Sequence, residues 1–235
     1  TSFKPTEVLR GKVKAGLKSG GVRSGLVVFQ FSISIVLIIS TLLIYKQLNL
    51  LETRDLGFEK ENVLLIRNVE ALGNNRNSFK EEVKKIPGIL NVSISSAAPP
   101  HIIYSSLFEP MDGTGSELGM TYCYADHDFL KTMNMQIVSG RYFSKDIPSD
   151  SNAVIINESA ARKMGWDEAI GEKIDAKWDS DTPDLREIIG VVKDFNFQTL
   201  RKDISPLIIF PGSEGNLMLV SMSPNDYPEK ISRIE

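Results

Sequence analysis

The chain has 235 residues, of which 42% are hydrophobic, and its formal net charge is −3. That length is enough for one or two domains with real hydrophobic cores. The single cysteine, Cys123, excludes an intrachain disulfide, so core packing alone must hold the fold. Cys123 lies in the apolar run 120–124, and we expect it to be a buried small hydrophobe rather than a reactive thiol.

Residues 25–45 form the longest apolar stretch, and they contain no charged side chain. As a helix they would span about 30 Å, which is the thickness of the hydrocarbon core of a bilayer. The apolar region of a signal peptide is usually shorter and ends in small residues, whereas this one leads into Tyr45 and Lys46. The stretch therefore predicts an uncleaved transmembrane helix.

Charge on either side of this helix predicts its orientation. Residues 1–24 carry six basic side chains and one acid, whereas the rest of the chain carries 21 basic and 29 acidic residues. Basic flanks lie on the cytoplasmic side of membranes, so we expect the N-terminus inside the cell and residues 46–235 outside. The basic arm lacks the interleaved aromatic residues of a nucleic-acid site, and we predict no nucleic-acid partner.

Polar residues within and after the helix suggest contacts and an extension. Gln30, Ser34 and Thr41 share one face, which favours packing against other helices, although Ser and Thr can also bond to carbonyls of their own helix. Residues 45–54 contain good helix formers and no breaker, so we expect a helical stalk over 46–57 that ends at Gly57.

The region after the stalk begins with a predicted β-α-β unit. Strands are expected at 63–66 and 89–97. Between them, Ser78 and Glu81 match a capping box at the start of a helix whose apolar stripe contains Phe79 and Val83. We expect a right-handed crossover for this unit.

Residues 98–186 have a different pattern, with turns, short strands expected at 120–124, 136–138, 153–156 and 173–177, and a helix over 158–164 that Asn157 opens and Gly165 closes. Acidic residues at 179–184 predict an exposed hairpin tip. Further strands are expected at 187–192, 206–210 and 217–222, followed by a last helix. The fold class is therefore α+β (α/β-like): one transmembrane helix and a two-lobed extracytoplasmic domain, with a mixed lobe inserted at about 98–186 into a β-α-β lobe.

No pattern in the sequence points to catalysis. There is no phosphate-binding loop, no nucleophile elbow and no HExxH motif, and neither His101 nor His127 has metal-ligand spacing. The acids of 179–184 lack the pattern of a calcium loop. We therefore assign no catalytic, cofactor-binding or metal-binding residue, predict no cofactor, and predict that the chain is not an enzyme.

Several strings along the chain resemble the FtsX-like permeases of ABC transporters that carry a MacB-type periplasmic core domain. The strings occupy residues 3–11, 26–31 with 34–35, 56–63, 139–144, 154–158, 169–171 and 188–195. Without reference to transport, Gly140, Gly171 and Gly190 fit turns or close strand approaches. Asp194 fits a polar cap, and Phe195 fits a core aromatic.

The resemblance implies a permease subunit of a bacterial inner membrane, with its main domain in the periplasm. It implies mechanotransmission, in which a cytoplasmic ABC ATPase drives the permease helices and stalks pass the motion to the periplasmic domain for export or extraction of a peptide, drug or lipoprotein. Implied partners are that ATPase, other permease helices or a second permease copy, and the membrane; a periplasmic adaptor is a further partner that the family allows. The single helix fits a fragment, in particular the second half of an eight-helix permease with two periplasmic domains.

Two other classes remain open on the sequence. A one-helix receptor could use the outer domain to sense a ligand, and an N-terminally anchored enzyme could use it for chemistry. Three more apolar spans beyond Glu235 would favour the permease, whereas an effector domain upstream would favour the receptor.

Overall fold

The computed structural model describes residues 18–53, 56–111, 113, 117–176, 183–198, 203–213 and 215–234. The chain divides into two units, residues 1–54 and 55–235. The predicted cytoplasmic segment up to residue 17, most of the hairpin tip at 179–184 and the end of the stalk at 54–55 lie outside the described residues.

The described part of the first unit forms one helix, α1, over Lys18–Thr53. Within it, Gly21–Leu51 is long and apolar enough to cross a membrane, and it is the one such helix in the described part of the chain. The Ser34 hydroxyl donates to the Gln30 carbonyl at 2.9 Å, and the Thr41 hydroxyl donates to the Leu37 carbonyl at 2.8 Å. Both hydroxyls therefore bond to carbonyls of their own helix, as the alternative to helix–helix packing predicted. The helix also continues to Thr53, through most of the predicted stalk.

The described residues of the second unit form ten strands, which are joined in one mixed sheet. The strands are β1 Val63–Arg67, β2 Ile89–Ser95, β3 Ser105–Pro110, β4 Leu118–Ala125, β5 Ile137–Gly140, β6 Ala153–Asn157, β7 Lys173–Asp175, β8 Leu185–Val192, β9 Leu207–Pro211 and β10 Leu217–Met222. The helices are α2 Arg76–Lys84, α3 Phe129–Thr132, α4 Glu158–Met164 and α5 Tyr227–Ile234, with 3₁₀ turns at Val69–Asn75 and Pro148–Asn152.

Strands β1, β10 and β2 form one end of the sheet, with β10 in the middle and antiparallel to both neighbours. Strands β1 and β2 are therefore parallel to each other, and α2 connects them along the chain. The predicted β-α-β unit is present, with a strand from the end of the chain inserted between its two strands. Apolar side chains of α2, including Phe79 and Val83, pack with those of β2 and β10 into one core cluster.

Six strands pair in a closed circle, in the order β4-β3-β7-β8-β6-β9 and back to β4. We call this the six-strand ring. Each of its strands contributes to one buried cluster, to which α4 adds Ala160 and Met164. Burying apolar surface on both sides of such short strands explains why β6 and β9 consist almost wholly of buried aliphatic and aromatic residues.

A third apolar cluster lies between the six-strand ring and the rest of the domain. It contains Cys123, Phe129, Phe195, Phe197 and Leu219, which come from ring strands, loops, α3 and β10. Cys123 is fully buried, as expected from its apolar run. The cluster joins parts of the chain that are nearly 100 residues apart, so the ring and the β1-β10-β2 end share one continuous interior.

The local signals for α4 are confirmed. The Asn157 side chain accepts a hydrogen bond from the Ala160 amide at 3.0 Å, and Gly165 ends the helix with φ +79°. The mixed α/β character and the apolar N-terminal helix also agree with the expected fold class. The limits of the predicted inserted lobe are not tested by these pairings and stay a prediction.

Two local expectations differ from the structure. The predicted capping box is wrong, because α2 begins at Arg76 and Ser78 lies inside its first turn. The helix follows directly on the preceding 3₁₀ turn, whose carbonyl at Gly73 accepts a hydrogen bond from the Arg76 amide. Strand β3 was not predicted, because its sequence of Ser, Glu and Pro residues carries a weak strand signal and only Phe108 and Pro110 are fully buried in it.

Candidate functional site

The described residues contain no group of three His, Cys, Asp or Glu side chains that could hold a metal ion. His101 is exposed, and His127 is partly buried beside Asp128. Burial raises the pKa of the Cys123 thiol to about 12, so this side chain is a poor nucleophile. The prominent features are instead structural: a segment after α1 that is hydrogen-bonded to the domain, two polar clusters and an apolar cavity.

Residues 56–62, which we call the lead-in segment, follow α1 in the chain and begin the second unit. Three backbone hydrogen bonds attach this segment to separate parts of the domain. The Asn196 amide donates to the Leu56 carbonyl at 2.8 Å, and the Glu59 amide donates to the Met133 carbonyl at 2.9 Å. The Met222 amide donates to the Asn62 carbonyl at 2.9 Å, and the Tyr227 hydroxyl also bonds the Asn62 side chain.

Gly57 lies in the lead-in segment where the chain passes closest to the loop after β8. Its φ is +80°, and a Cβ atom built at this position would lie 2.8 Å from Cβ of Phe195. Phe58 packs edge-on against the Phe195 ring, with centroids 6.4 Å apart. Phe195 is 1% exposed, so the lead-in segment is held against a rigid part of the core.

The Asp194 carboxylate lies beside this contact and binds three donors. One oxygen accepts from the Asn157 side-chain amide at 2.8 Å and from the Ser159 backbone amide at 2.9 Å. The other accepts from the Arg162 guanidinium at 2.6 Å, which raises the pKa of that arginine. The Asp194 backbone amide donates to the Glu158 carboxylate at 2.9 Å. Both the backbone and the side chain of Asp194 therefore attach the loop after β8 to the start of α4.

Asn157 extends this cluster into the six-strand ring. Its side chain is fully buried and makes four hydrogen bonds: it donates to Asp194 and to the Ser205 carbonyl, and it accepts from the Ala160 and Leu207 amides. These contacts join the end of β6, the loop after β8 and the start of β9. A buried amide with all its bonds made fixes the relative positions of its partners, because losing any one of them leaves an unpaired polar group.

A second polar cluster links α2 to the turn before α3. The Lys80 ammonium is almost fully buried and lies 2.6 Å from Asp126 and 2.7 Å from Asp128. Asp126 also accepts from the Ile94 amide of β2, and Lys84 contacts Asp128 at 2.7 Å. The cluster is an internal support rather than a reaction centre, because every charge in it faces an opposite charge or a backbone donor.

The electrostatics of this second cluster follow from competition between burial and charge. Burial alone would raise the pKa of Asp128, but hydrogen bonds from Lys80 and Lys84 outweigh it and hold that pKa well below its usual range. Burial lowers the pKa of His127 and outweighs the attraction of Asp128. His127 is therefore held toward its neutral form.

An apolar cavity of about 280 Å³ lies beside the lead-in segment. Its apolar lining consists of Leu56, Phe58, Val63, Leu65, Ala98, Pro99, Pro100, Met133 and Leu219. Only Glu59 and Lys60 among its lining residues are charged. Such a lining favours apolar contents over acid–base chemistry.

The sequence indicated the roles of single residues at this site but not their assembly. Asp194 acts as a polar cap at the start of α4, and Phe195 is a core aromatic, as expected. What the sequence did not indicate is that 56–58, 157–159 and 194–196 meet in space. The signal available was that all three ranges overlap strings shared with one permease family, although that signal carries no geometry.

The fold and this site define a class: a mixed α/β domain that follows a helix of membrane-spanning length and is supported internally by two polar clusters. The model of the MacB-like periplasmic core domain family matches residues 24–233. The chain belongs to this family, a periplasmic core domain of ABC transporter permeases, which confirms the resemblance seen in its sequence.

Two solved structures are similar to this chain, and the first of them, with a TM-score above 0.5, agrees with its fold. The periplasmic region of MacB from Actinobacillus actinomycetemcomitans is 16% identical, with a TM-score of 0.51, and the match covers 74% of this chain and 80% of that one. The extracellular domain of the noncanonic ABC-type transporter YknZ from Gram-positive bacteria is 17% identical, with a TM-score of 0.47, and covers 67% of this chain and 76% of its own. No curated protein sequence matches the chain.

Proposed function

We propose that this chain is part of an ABC transporter permease that transmits motion from a cytoplasmic ATPase to a periplasmic domain. The observation that carries the proposal is the family match over residues 24–233, which includes the uncharged apolar stretch 25–45 and nearly all of the described domain. The ATPase partner is proposed because the matched family belongs to ABC transporter permeases. Other permease helices or a second permease copy would complete the membrane part.

The proposed layout assigns residues 1–24 to the cytoplasm of a bacterial cell, 25–45 to the inner membrane, 46–57 to a stalk and 58–235 to the periplasm. Within the periplasmic domain, an inserted lobe is proposed at about 98–186. The basic flank supports the orientation. The function so defined is export or extraction of a peptide, drug or lipoprotein, with no chemistry by this chain.

Helical structure up to Thr53 supports transmission through the stalk, because a continuous helix resists bending whereas a Gly/Ser coil fluctuates in length. We expect that replacing residues 47–52 with Gly and Ser in the full permease leaves ATP hydrolysis by the assembled complex intact. Export should fall, measured with a compound whose cellular accumulation rises when the permease gene is deleted. Circular dichroism should show an unchanged domain.

The matched control replaces the same six residues with Ala, Glu and Lys in a helix-forming order, which keeps the stalk stiff but changes its surface. Undiminished export with the Gly/Ser stalk would contradict mechanotransmission and favour a passive tether. Loss of export with both stalks would also contradict it, since stiffness would then not be the property that matters.

A further inference from the structure

The lead-in segment has one attachment that leads directly into the six-strand ring. Its bonds to Met133 and Met222 connect it to the loop after α3 and to the end of β10. Its contacts with Phe195 and Asn196 connect it to the loop after β8, a ring strand. A force applied at the start of the domain can therefore enter the ring through residues 194–196.

This loop would yield under force unless something held it, because it lies beyond the last paired residue of β8 and loops are the more mobile parts of a fold. Asp194 provides the restraint. Its carboxylate binds Asn157 of β6, the backbone of α4 and Arg162, and its amide binds Glu158. Each of these groups belongs to the ring or to α4, which shares its buried cluster.

We propose that Asp194 is the positioning residue that locks the lead-in segment to the six-strand ring, so that motion of the segment moves the ring as one body. The inference rests on the proposed function for its role in transport. The mechanical part stands on the geometry alone. Asn157 carries the restraint onward to β9 through the Leu207 amide.

The test uses the full permease with its ATPase in lipid nanodiscs, with spin labels at two exposed positions, Glu61 of the lead-in segment and Ser105 of β3. The variant Asp194→Asn keeps the size of the side chain but replaces one acceptor oxygen with an NH₂ group. Whichever position that group takes, it faces a donor from Asn157, Ser159 or Arg162, so the cluster loses a bond and gains a repulsion. We expect the distribution of label distances to broaden about twofold and export per ATP hydrolysed to fall roughly three- to tenfold.

The matched control is Asp150→Asn. Asp150 is also buried, and it also accepts two bonds from an arginine, Arg141, and one from a backbone amide, that of Ser144. It has no bond to the lead-in segment or to residues 194–196 among the contacts described. The control should leave the distance distribution narrow and export unchanged.

A second variant, Arg162→Gln, tests the proposal without risk to the fold, because 64% of the Arg162 side chain is exposed. It removes one of the three donors, and we expect a smaller broadening in the same direction. Equal distributions in wild type, Asp194→Asn and Arg162→Gln would overturn the proposal. So would equal broadening in Asp194→Asn and Asp150→Asn.

Failure of the proposed function gives a different result. If the Gly/Ser stalk exports normally while Asp194→Asn broadens the label distances, the lock exists but transmission does not. If the stalk variant loses export while Asp194→Asn keeps both a narrow distribution and full export, transmission stands and Asp194 is not its lock.

Discussion

Gly57 and Gly165 show how the same backbone conformation can have different costs for a side chain. Their φ angles are +80° and +79°, so an alanine at either position is strained. Nothing lies within 4 Å of a Cβ built on Gly165, whereas a Cβ on Gly57 meets Phe195 at 2.8 Å. The two positions therefore have the same backbone preference for glycine, and they differ only in the packing contact that a side chain at Gly57 would make.

We predict that Gly57→Ala lowers the free energy of unfolding more than Gly165→Ala does. In both variants the positive φ lowers the free energy of unfolding by about 1 kcal/mol. Gly57→Ala lowers it by about 1–3 kcal/mol more, because Phe195 or the lead-in segment must shift in a packed core. Urea unfolding of the chain in detergent, followed by tryptophan fluorescence, measures both values. Equal losses would mean that the contact between the lead-in segment and Phe195 is loose.

At the scale of elements, α2 is attached to the domain by an apolar face and by one buried charge. Phe79 and Val83 pack on β2 and β10, while Lys80 reaches the turn before α3. A buried charge is favourable only while its partners remain, because an uncompensated charge in an apolar interior is costly. The position of α2 relative to α3 thus depends on one side chain more than on its helix propensity.

We predict that Lys80→Met lowers the free energy of unfolding by about 3–5 kcal/mol, since Asp126 is left buried without its cation. The matched control is Lys85→Met on the same helix, whose ion pair with Glu82 is exposed and is worth less than about 1 kcal/mol. Urea unfolding again provides the measurement. A loss in Lys80→Met as small as that in the control would show that the cluster is not a support. The double variant Lys80→Met with Asp126→Asn should recover part of the loss.

The elements also show where local signals were sufficient. Asn157 and Gly165 mark the ends of α4 because their side-chain and backbone preferences act within a few residues of the helix. Ser78 and Glu81 match a capping box, but α2 begins two residues earlier, directly after the 3₁₀ turn. A local motif predicts a helix start only where the preceding segment does not already begin the helix.

At the scale of the whole molecule, orientation in the membrane is the property that everything else depends on. We predict that a cysteine at Ser105 reacts with a membrane-impermeant maleimide in cells with a permeabilised outer membrane, and that a cysteine at Ser19 does not. Ser105 is exposed on the domain, and residue 19 lies in the basic flank. Labelling is read on gels before and after the inner membrane is opened with detergent.

The natural Cys123 is the internal control for this measurement. It is fully buried and its thiol pKa is raised to about 12, so it should remain unlabelled until the domain is unfolded. Labelling at Ser19 without labelling at Ser105 would reverse the proposed topology. Labelling of Cys123 in the folded protein would contradict the buried core.

The sequence by itself determined the apolar helix, the positions of nine of the ten strands, the ends of α4 and the family. Each of these depends on residue type at short spacing: a run of uncharged residues for the helix, β-branched runs for the strands, and capping side chains for α4. The family strings are also local, and their order along the chain is visible without a structure.

Only the tertiary structure decided which of these pieces meet. The insertion of β10 between β1 and β2, the closure of the six-strand ring by β4 and β9, and the contact of Gly57 with Phe195 join residues far apart in the chain. Such contacts depend on shape, on complete hydrogen bonding and on charges that are favourable only when buried together. Asp194 and Lys80 are examples, since each is an ordinary charged residue in the sequence and becomes a structural support only through partners that folding brings to it.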